Sequence, residues 1–220
     1  MRYNNREEAG KRLAERLTEF LQEPIQDGIV MAITRGGVVV GDVIARTLNL
    51  PLDVFVVKKI DFPGAPEFSL GAVDRDGHFM INPSTVNFVD RYTFEAERLK
   101  TIRIADYEKS VMTNHAFPKL EGRTVILVDE GAQSGTTALT AVEMIHSYNP
   151  DQIILALPVC SREAWMYLNG SVDALIVDTM PSMLHSLSDW YLDFLPERDD
   201  KVRNILSTYT PVESPRSLKS

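Results

Sequence analysis

Residues 123–145 read RTVILVDEGAQSGTTALTAVEMI and combine three features in one short stretch. A run of apolar and β-branched residues (124–128) predicts a buried strand. Asp129 and Glu130 follow at once, and a turn of glycine and small polar residues then leads into an apolar-periodic helix. This order brings free backbone N–H groups and the positive end of a helix together, which predicts a phosphate site.

Two common phosphate motifs do not fit this turn. A P-loop requires a lysine before Ser or Thr, and a dinucleotide fingerprint requires three glycines in the G-x-G-x-x-G spacing. The turn has only Gly131 and Gly135, with hydroxyls on Ser134, Thr136 and Thr137. It is therefore a phosphate turn of another kind.

The paired acids distinguish this turn from a generic phosphate loop. A carboxylate beside a phosphate is repulsive, so Asp129 and Glu130 need a further purpose. Ionised carboxylates accept strong hydrogen bonds from sugar hydroxyls, and they also bind Mg²⁺. A ribose 5-phosphate would use both halves of the turn. The alternative, an ordinary strand-to-helix loop with a capping hydroxyl, leaves the two acids unexplained.

The rest of the chain alternates strands and helices. This alternation predicts an α/β fold in one domain, with a mostly parallel sheet flanked by helices. An Asp-Gly turn predicts a hairpin at 70–81. We expect strands at 28–33, 52–60, 124–128, 152–157 and 173–177, and helices from the Asn4/Asn5 cap to Pro24 and at 38–49, 93–109, 136–147 and 161–169.

Ligands of such sheets bind where strands end near a switch in strand order. That rule selects the turn after residue 128 and a second turn, TRGG at 34–37, which breaks the chain after the strand 28–33.

At this point the chain resembles a known family. VILVDEGAQSGTT (125–137) resembles the phosphoribosyl pyrophosphate (PRPP) motif of type I phosphoribosyltransferases. AITRGGVVVGDVIA (32–45) is similar to the family's pyrophosphate loop, and LDVFVVKKIDFPGAPEFSLGAV (52–73) to the strand and mobile loop that follow it. The resemblance covers roughly residues 1–195, although the second acid is Glu where Asp is commoner.

The resemblance implies a role for each matching residue. Asp129 and Glu130 are the catalytic pair, which hold the ribose 2- and 3-hydroxyls and are the candidate Mg²⁺ ligands, directly or through water. Arg35 is a charged anchor for pyrophosphate, and one of Lys58 and Lys59 reaches the same group, since neighbouring strand side chains face opposite ways. The 5-phosphate turn comprises Gly131, Ala132, Gln133, Ser134, Gly135, Thr136 and Thr137, and the pyrophosphate loop comprises Thr34, Arg35, Gly36 and Gly37.

The resemblance also implies an organisation of the chain. A phosphoribosyltransferase-like domain occupies 1–195, with a lid or hairpin insertion at 61–92 and a small hood at about 178–195. A C-terminal helix follows at 196–210, and 211–220, rich in Pro and Ser, is expected to be disordered. In the hood, Trp190 and Tyr191 either stack on a planar acceptor or belong to the core.

The implied function is transfer of the phosphoribosyl group from Mg²⁺–PRPP to a nucleobase-like nitrogen acceptor, with release of pyrophosphate. A regulator that senses PRPP or a nucleotide is the alternative, and a hydrolase of phosphorylated sugars or nucleotides is a weaker one. The net charge of −8 argues against a nucleic-acid partner. The single cysteine, Cys160, and the lack of a long apolar run predict a cytoplasmic protein without a membrane partner. A homodimer remains open.

Overall fold

The computed structural model describes residues 2–114 and 116–209. The helices are α1 (Arg6–Leu21), α2 (Thr34–Leu48), α3 (Arg91–Met112), α4 (Thr136–His146), α5 (Arg162–Leu168) and α6 (Asp199–Leu206). The strands are β1 (Gly28–Ile33), β2 (Leu52–Phe55), β3 (Val57–Phe62), β4 (Ala65–Asp74), β5 (Phe79–Ile81), β6 (Thr124–Val128), β7 (Gln152–Val159) and β8 (Ala174–Thr179).

Five strands form a parallel sheet in the order β2-β1-β6-β7-β8. Helices cover both of its faces, so the predicted α/β fold is confirmed. β1 and β6 are neighbours in this sheet. The chain adds β2 on the outer side of β1 and then β7 and β8 on the outer side of β6, so the strand order reverses between β1 and β6. Their carboxyl ends are where this architecture places its ligands.

Two apolar clusters sandwich the sheet. One face packs against α1, α2, α3 and α6 through residues such as Leu13, Ile44 and Val202. The other face packs against α4 and α5 through residues such as Ala141 and Leu168. Since β1 and β6 are buried on both faces, their side chains form a continuous apolar run, as the sequence of a central parallel strand requires.

The stretch 52–60, predicted as one strand, divides at Val56. β2 belongs to the parallel sheet, whereas β3 pairs with β4, and β4 with β5, in a separate antiparallel sheet. The single-strand prediction was wrong because both halves are apolar and β-branched, and periodicity does not show where a strand changes sheets. The hairpin predicted at 70–81 is confirmed as β4–β5.

The helix ends follow local capping chemistry. The Asn5 side chain accepts a hydrogen bond from the Glu8 amide at the start of α1, and Asp90 accepts one from Thr93 at the start of α3. Within the described residues, each helix is too short or too polar to cross a membrane. The predicted disorder of 211–220 lies outside the described residues.

Candidate active site

The two predicted ligand turns meet at the switch point of the sheet. Thr34 directly follows β1 and Asp129 directly follows β6, and the two strands are paired in register. The Thr34 hydroxyl donates a hydrogen bond to Asp129 Oδ1 over 3.3 Å. Residues almost a hundred positions apart in the chain therefore border one small region.

Asp129 lies in an environment that opposes its ionisation. Its side chain is buried, and Oδ1 also accepts the backbone N–H of Glu130 over 2.8 Å. Burial, followed by the negative charge of Glu130, raises the pKa of Asp129 to about 8. A cation or a hydroxyl donor brought by a ligand would favour the ionised form.

Glu130 has an internal partner that its sequence position did not reveal. Arg6, in the first turn of α1, places Nε 2.5 Å from Glu130 Oε2. The hydroxyl of Tyr191 donates to the backbone carbonyl of Glu130 over 2.6 Å. The second acid is thus held at both its side chain and its main chain.

The predicted pyrophosphate loop is the first turn of a helix. The sequence predicted a break at 34–37 and a helix from 38, whereas α2 begins at Thr34 itself, with Thr34 at φ +63°. Ile33, the capping residue, contributes no side-chain hydrogen bond. The N–H groups of this turn lie at the positive end of α2, where an anion is stabilised. The predicted end of the strand at residue 33 is confirmed, whereas the predicted helix start at 38 was wrong, because glycine pairs disfavour helices by propensity and tertiary contacts override that preference here.

Gly36 permits the close packing of this turn on the acidic pair. A Cβ at position 36 would lie 1.8 Å from Glu130 Oε2 and 2.9 Å from Arg6 Nε. At Gly37 a Cβ would lie 3.0 Å from the Val128 carbonyl oxygen. The glycines therefore allow α2 to approach β6 closely, besides presenting their amides.

The predicted cations are paired with carboxylates from distant helices. Arg35 Nε lies 2.5 Å from Asp199 Oδ1 on α6, and Lys58 Nζ lies 2.8 Å from Glu108 Oε1 on α3. Glu108 also lies 4.0 Å from Arg35, so Arg35 and Lys58 converge on one carboxylate. Lys59 follows Lys58 on β3 and so projects from the opposite face.

The turn from Gly131 to Thr137 is braced against the neighbouring strand. Gly131 has φ +150°, and a Cβ there would lie 2.9 Å from the Val159 carbonyl oxygen. The Ala132 amide donates to that same oxygen over 2.9 Å. The Ser161 hydroxyl donates to the Gln133 carbonyl over 2.6 Å. These contacts fix the curl of the turn before any ligand binds.

The second half of this turn presents hydroxyls at the start of α4. Gly135 caps the helix at φ +74°, a left-handed conformation that glycine adopts without strain. Ser134, Thr136 and Thr137 are exposed around it, and the hydroxyls of Ser134 and Thr136 lie 3.0 Å apart. The Gln133 amide instead donates to the His185 carbonyl over 2.7 Å, which ties the turn to the hood segment.

Comparisons with known proteins identify the family of this chain. A family model described as the phosphoribosyl transferase domain matches residues 3–179. The chain belongs to this family. Two strains of Mycobacterium tuberculosis each have a relative described as a "putative phosphoribosyl transferase", 29% identical over 203 residues. The match covers 91% of this chain and only 45% of those longer proteins.

Solved structures show the same fold. TT1426 from Thermus thermophilus matches with a TM-score of 0.83 and 31% identity, covering 95% of this chain and 99% of that one. AQ2163 from Aquifex aeolicus matches with a TM-score of 0.50 and 10% identity, covering 82% and 77% of the two chains. The second likeness is one of fold alone.

In this phosphoribosyltransferase-family chain, the two hood aromatics differ in accessibility. Tyr191 is 3% exposed, with its ring stacked on Phe194 at 4.9 Å and against Tyr3 at 5.3 Å. Its faces are therefore covered, which favours the packing interpretation. Trp190 is partly exposed and packs against the apolar cluster that contains Tyr3 and Tyr191, so its stacking on an acceptor stays a prediction.

Three residues that contact the predicted site were missed from the sequence: Arg6, Glu108 and Asp199. Glu108 and Asp199 belong to charge-rich helices and carry no local signal. Arg6 does carry one, because a cation in the first turn of a helix opposes the helix dipole and calls for a compensating partner.

Proposed function

We propose that the protein is a phosphoribosyltransferase that binds Mg²⁺–PRPP, transfers the phosphoribosyl group to a nucleobase-like nitrogen acceptor and releases pyrophosphate. One observation carries the proposal: the turns after β1 and β6 meet at Asp129 through the Thr34 hydroxyl. A ligand with a pyrophosphate, a ribose and a phosphate would extend from the start of α2, past Asp129, to the start of α4. Family membership supports the transferase class, and the acceptor is part of the proposal.

The reaction would require positioning and charge stabilisation rather than a covalent intermediate. The bond between ribose C1 and the pyrophosphate oxygen breaks, and its electron pair leaves with pyrophosphate. The acceptor nitrogen then supplies the pair for the new bond to C1 and, where that nitrogen carries a proton, releases it to water. The amides of 34–37, Arg35 and Lys58 would stabilise the leaving group, while Asp129 would stabilise positive charge on the ribose.

The donor set fits a magnesium ion that arrives with the ligand. Within residues 2–114 and 116–209, no cluster of three or more His, Cys, Asp or Glu side chains is placed to hold a metal. Mg²⁺ in phosphate sites takes one or two carboxylates together with phosphate oxygens and waters. Asp129 is the first candidate ligand and Glu130 the second, and the ion would offset charge on the pyrophosphate.

Turnover with a panel of acceptors tests this proposal. The protein is incubated with Mg²⁺–PRPP and purine, pyrimidine or pyridine bases, and pyrophosphate and nucleotide are measured. One base should give both products in equal amounts, and Asp129→Asn serves as the control for contaminating activity. PRPP binding without turnover on any base would favour the sensing regulator, and pyrophosphate release without a nucleotide would favour a hydrolase.

Calorimetry tests the division of the site into two phosphate turns. PRPP with Mg²⁺ should bind more tightly than ribose 5-phosphate. The reason is that pyrophosphate adds charge-assisted hydrogen bonds, each of which contributes about 1.5–3 kcal/mol. Equal affinities would contradict the role proposed for residues 34–37.

A further inference from the structure

The long helix α3 carries an apolar stripe that the rest of the protein does not cover. The residues that α3 buries against the protein are Phe94, Thr101, Ala105 and Met112. The opposite side of the helix, at 3.6 residues per turn, exposes Tyr92, Ala96, Leu99, Arg103 and Tyr107. Tyr92 is 85%, Tyr107 66% and Leu99 48% exposed. Exposed apolar patches of this kind mark interaction sites on protein surfaces.

The spacing of this stripe is that of a seam between two paired helices. Tyr92, Ala96, Leu99 and Arg103 follow one another at steps of four, three and four residues. Alternating steps of three and four keep side chains on one line along a helix, where a second helix can pack against them. The stripe therefore fits a second helix better than a flat surface or a small molecule.

The seam is complementary to itself when two copies of α3 run antiparallel. With the two-fold axis between residues 97 and 98, Leu99 of one copy meets Ala96 of the other, a large side chain against a small one. Arg103 of one copy then meets Tyr92 of the other, which places a cation against an aromatic ring. By symmetry each contact occurs twice, as in an isologous interface.

The charges of α3 allow two copies to approach each other. On the flanks of the seam, Arg98 pairs with Glu95 and Lys100 pairs with Glu97 within the helix. The flanks are therefore neutralised, and two copies do not repel each other there. Among the described residues, Arg103 has no acid partner, so its guanidinium is free to contact a tyrosine ring. Tyrosine and arginine are the residues most enriched where interfaces derive their binding energy.

We infer that the seam of α3 binds the same seam on a second copy of this chain, which gives a two-fold symmetric homodimer with antiparallel α3 helices. The inference does not depend on the proposed reaction. It does bear on the site, because Glu108, the residue after Tyr107, contacts Lys58 and Arg35. One helix pair is a small interface, so we expect a reversible dimer with Kd on the order of 1–100 µM.

Sedimentation equilibrium of the full chain over about 1–300 µM tests for this dimer. The mass of the wild type should rise from that of one chain to that of two. Leu99→Glu places two carboxylates near the two-fold axis and should raise Kd at least about tenfold. Tyr92→Ser, at the end of the seam, should raise Kd at least about threefold. Met166→Glu, at a residue of α5 that is 66% exposed, is the matched control and should leave Kd unchanged.

Two results of the sedimentation experiment would overturn the inference. One is a wild type that stays monomeric over the whole range of concentrations. The other is a dimer that both seam variants leave intact, because its interface would then lie elsewhere. Both variants change exposed side chains, and either one suffices for the comparison if circular dichroism shows that the other is unfolded.

Cysteine cross-linking tests the antiparallel register. Ala96→Cys protein mixed with Leu99→Cys protein should form a disulfide-linked dimer on mild oxidation, because these positions face each other across the two-fold axis. Tyr92→Cys alone should not link, since its two copies would lie about 16 Å apart along the helix axis. The native Cys160 is buried. No linking in the mixture, or linking of Tyr92→Cys alone, would contradict the antiparallel pairing.

Discussion

The ionisation of Asp129 makes the free energy of unfolding depend on pH, and this dependence can be measured without any substrate. The folded chain retains a proton on Asp129 up to about pH 8, whereas the unfolded chain releases it near the ordinary pKa of 3.8. Between these two values the folded state binds the extra proton. The free energy of unfolding contributed by Asp129 therefore falls as pH rises through this window and is constant above it.

Asp129→Asn should remove this dependence. Without Mg²⁺ or phosphate, the melting temperature of the variant minus that of the wild type should be larger at about pH 8 than at about pH 5, because only the wild type must bury an ionising carboxyl. Thermal denaturation at both pH values measures the difference. Asp61→Asn, at an exposed aspartate, is the control. If the difference in melting temperature between variant and wild type were the same at both pH values, the raised pKa of buried Asp129 would be contradicted.

The hydroxyl of Thr137 and the carboxylate of Asp129 should affect different kinetic constants. Asp129→Asn should lower kcat on the order of 10²-fold, the scale of one lost electrostatic contact. Thr137→Val should raise KM for PRPP with little change in kcat, because its hydroxyl serves the 5-phosphate equally in ground and transition states. Steady-state kinetics on both variants measures kcat and KM. A lower kcat in Thr137→Val would mean that its hydroxyl does not serve the ground and transition states equally.

At the scale of helices, α3 and α6 supply carboxylates that pair with Arg35 and Lys58, the two cations proposed to bind pyrophosphate. Glu108 on α3 holds Lys58 and approaches Arg35, and Asp199 on α6 holds Arg35. A pyrophosphate would have to displace or share these partners. In the proposed site, both helices would therefore affect ligand affinity, although neither was predicted to belong to the site.

Glu108→Gln should tighten pyrophosphate binding by about two- to fivefold, the range expected for one ion pair near the surface. Calorimetric titration with pyrophosphate measures this, and Glu97→Gln, which alters a pair with Lys100 elsewhere on α3, is the matched control. Weaker binding in Glu108→Gln would mean that Glu108 orients Lys58 rather than competes with the ligand.

The sequence predicted elements well where a single periodicity held throughout. β1 and β6 begin and end at the predicted residues, and α4 begins as predicted at Thr136, directly after Gly135. Prediction failed where contacts distant in sequence decided the outcome. Val56, where the chain leaves the parallel sheet, differs in no local property from its neighbours. Arg6 and Glu130 were each visible as charges, but only the folded chain shows them as a pair.

At the scale of the whole molecule, the antiparallel sheet is fastened to the parallel one through Arg75. This residue is fully buried, and Nη1 lies 3.0 Å from Asp53 Oδ1 and donates to the Val54 carbonyl over 3.0 Å. Its guanidinium also lies 5.0 Å from the ring centroid of Phe117. The hairpin end near Arg75 is thus fixed, so any closing of the predicted lid must occur at its other end, around Pro63 and Gly64.

Arg75→Met should destabilise the fold by about 3–5 kcal/mol, because it removes one partner of the buried ion pair between Arg75 and Asp53. Urea denaturation measures this, with Arg98→Met, on α3, as the matched control.

In the wild type, saturating Mg²⁺–PRPP should protect the turn at 63–64 from protease. Unchanged cleavage there would count against a lid and would leave the phosphate site unaffected.

The contact of Gly36 with the ion pair also constrains how this chain can evolve. A side chain at position 36 would push the Glu130 carboxylate from its place beside Arg6 unless the acid at 130 became shorter or were lost, and in each case Arg6 would be a buried cation without that partner. Single substitutions that break this contact should be selected against, whereas compensated combinations can persist. Among diverging descendants, positions 6, 36 and 130 should therefore co-vary, although they lie in three separate parts of the gene.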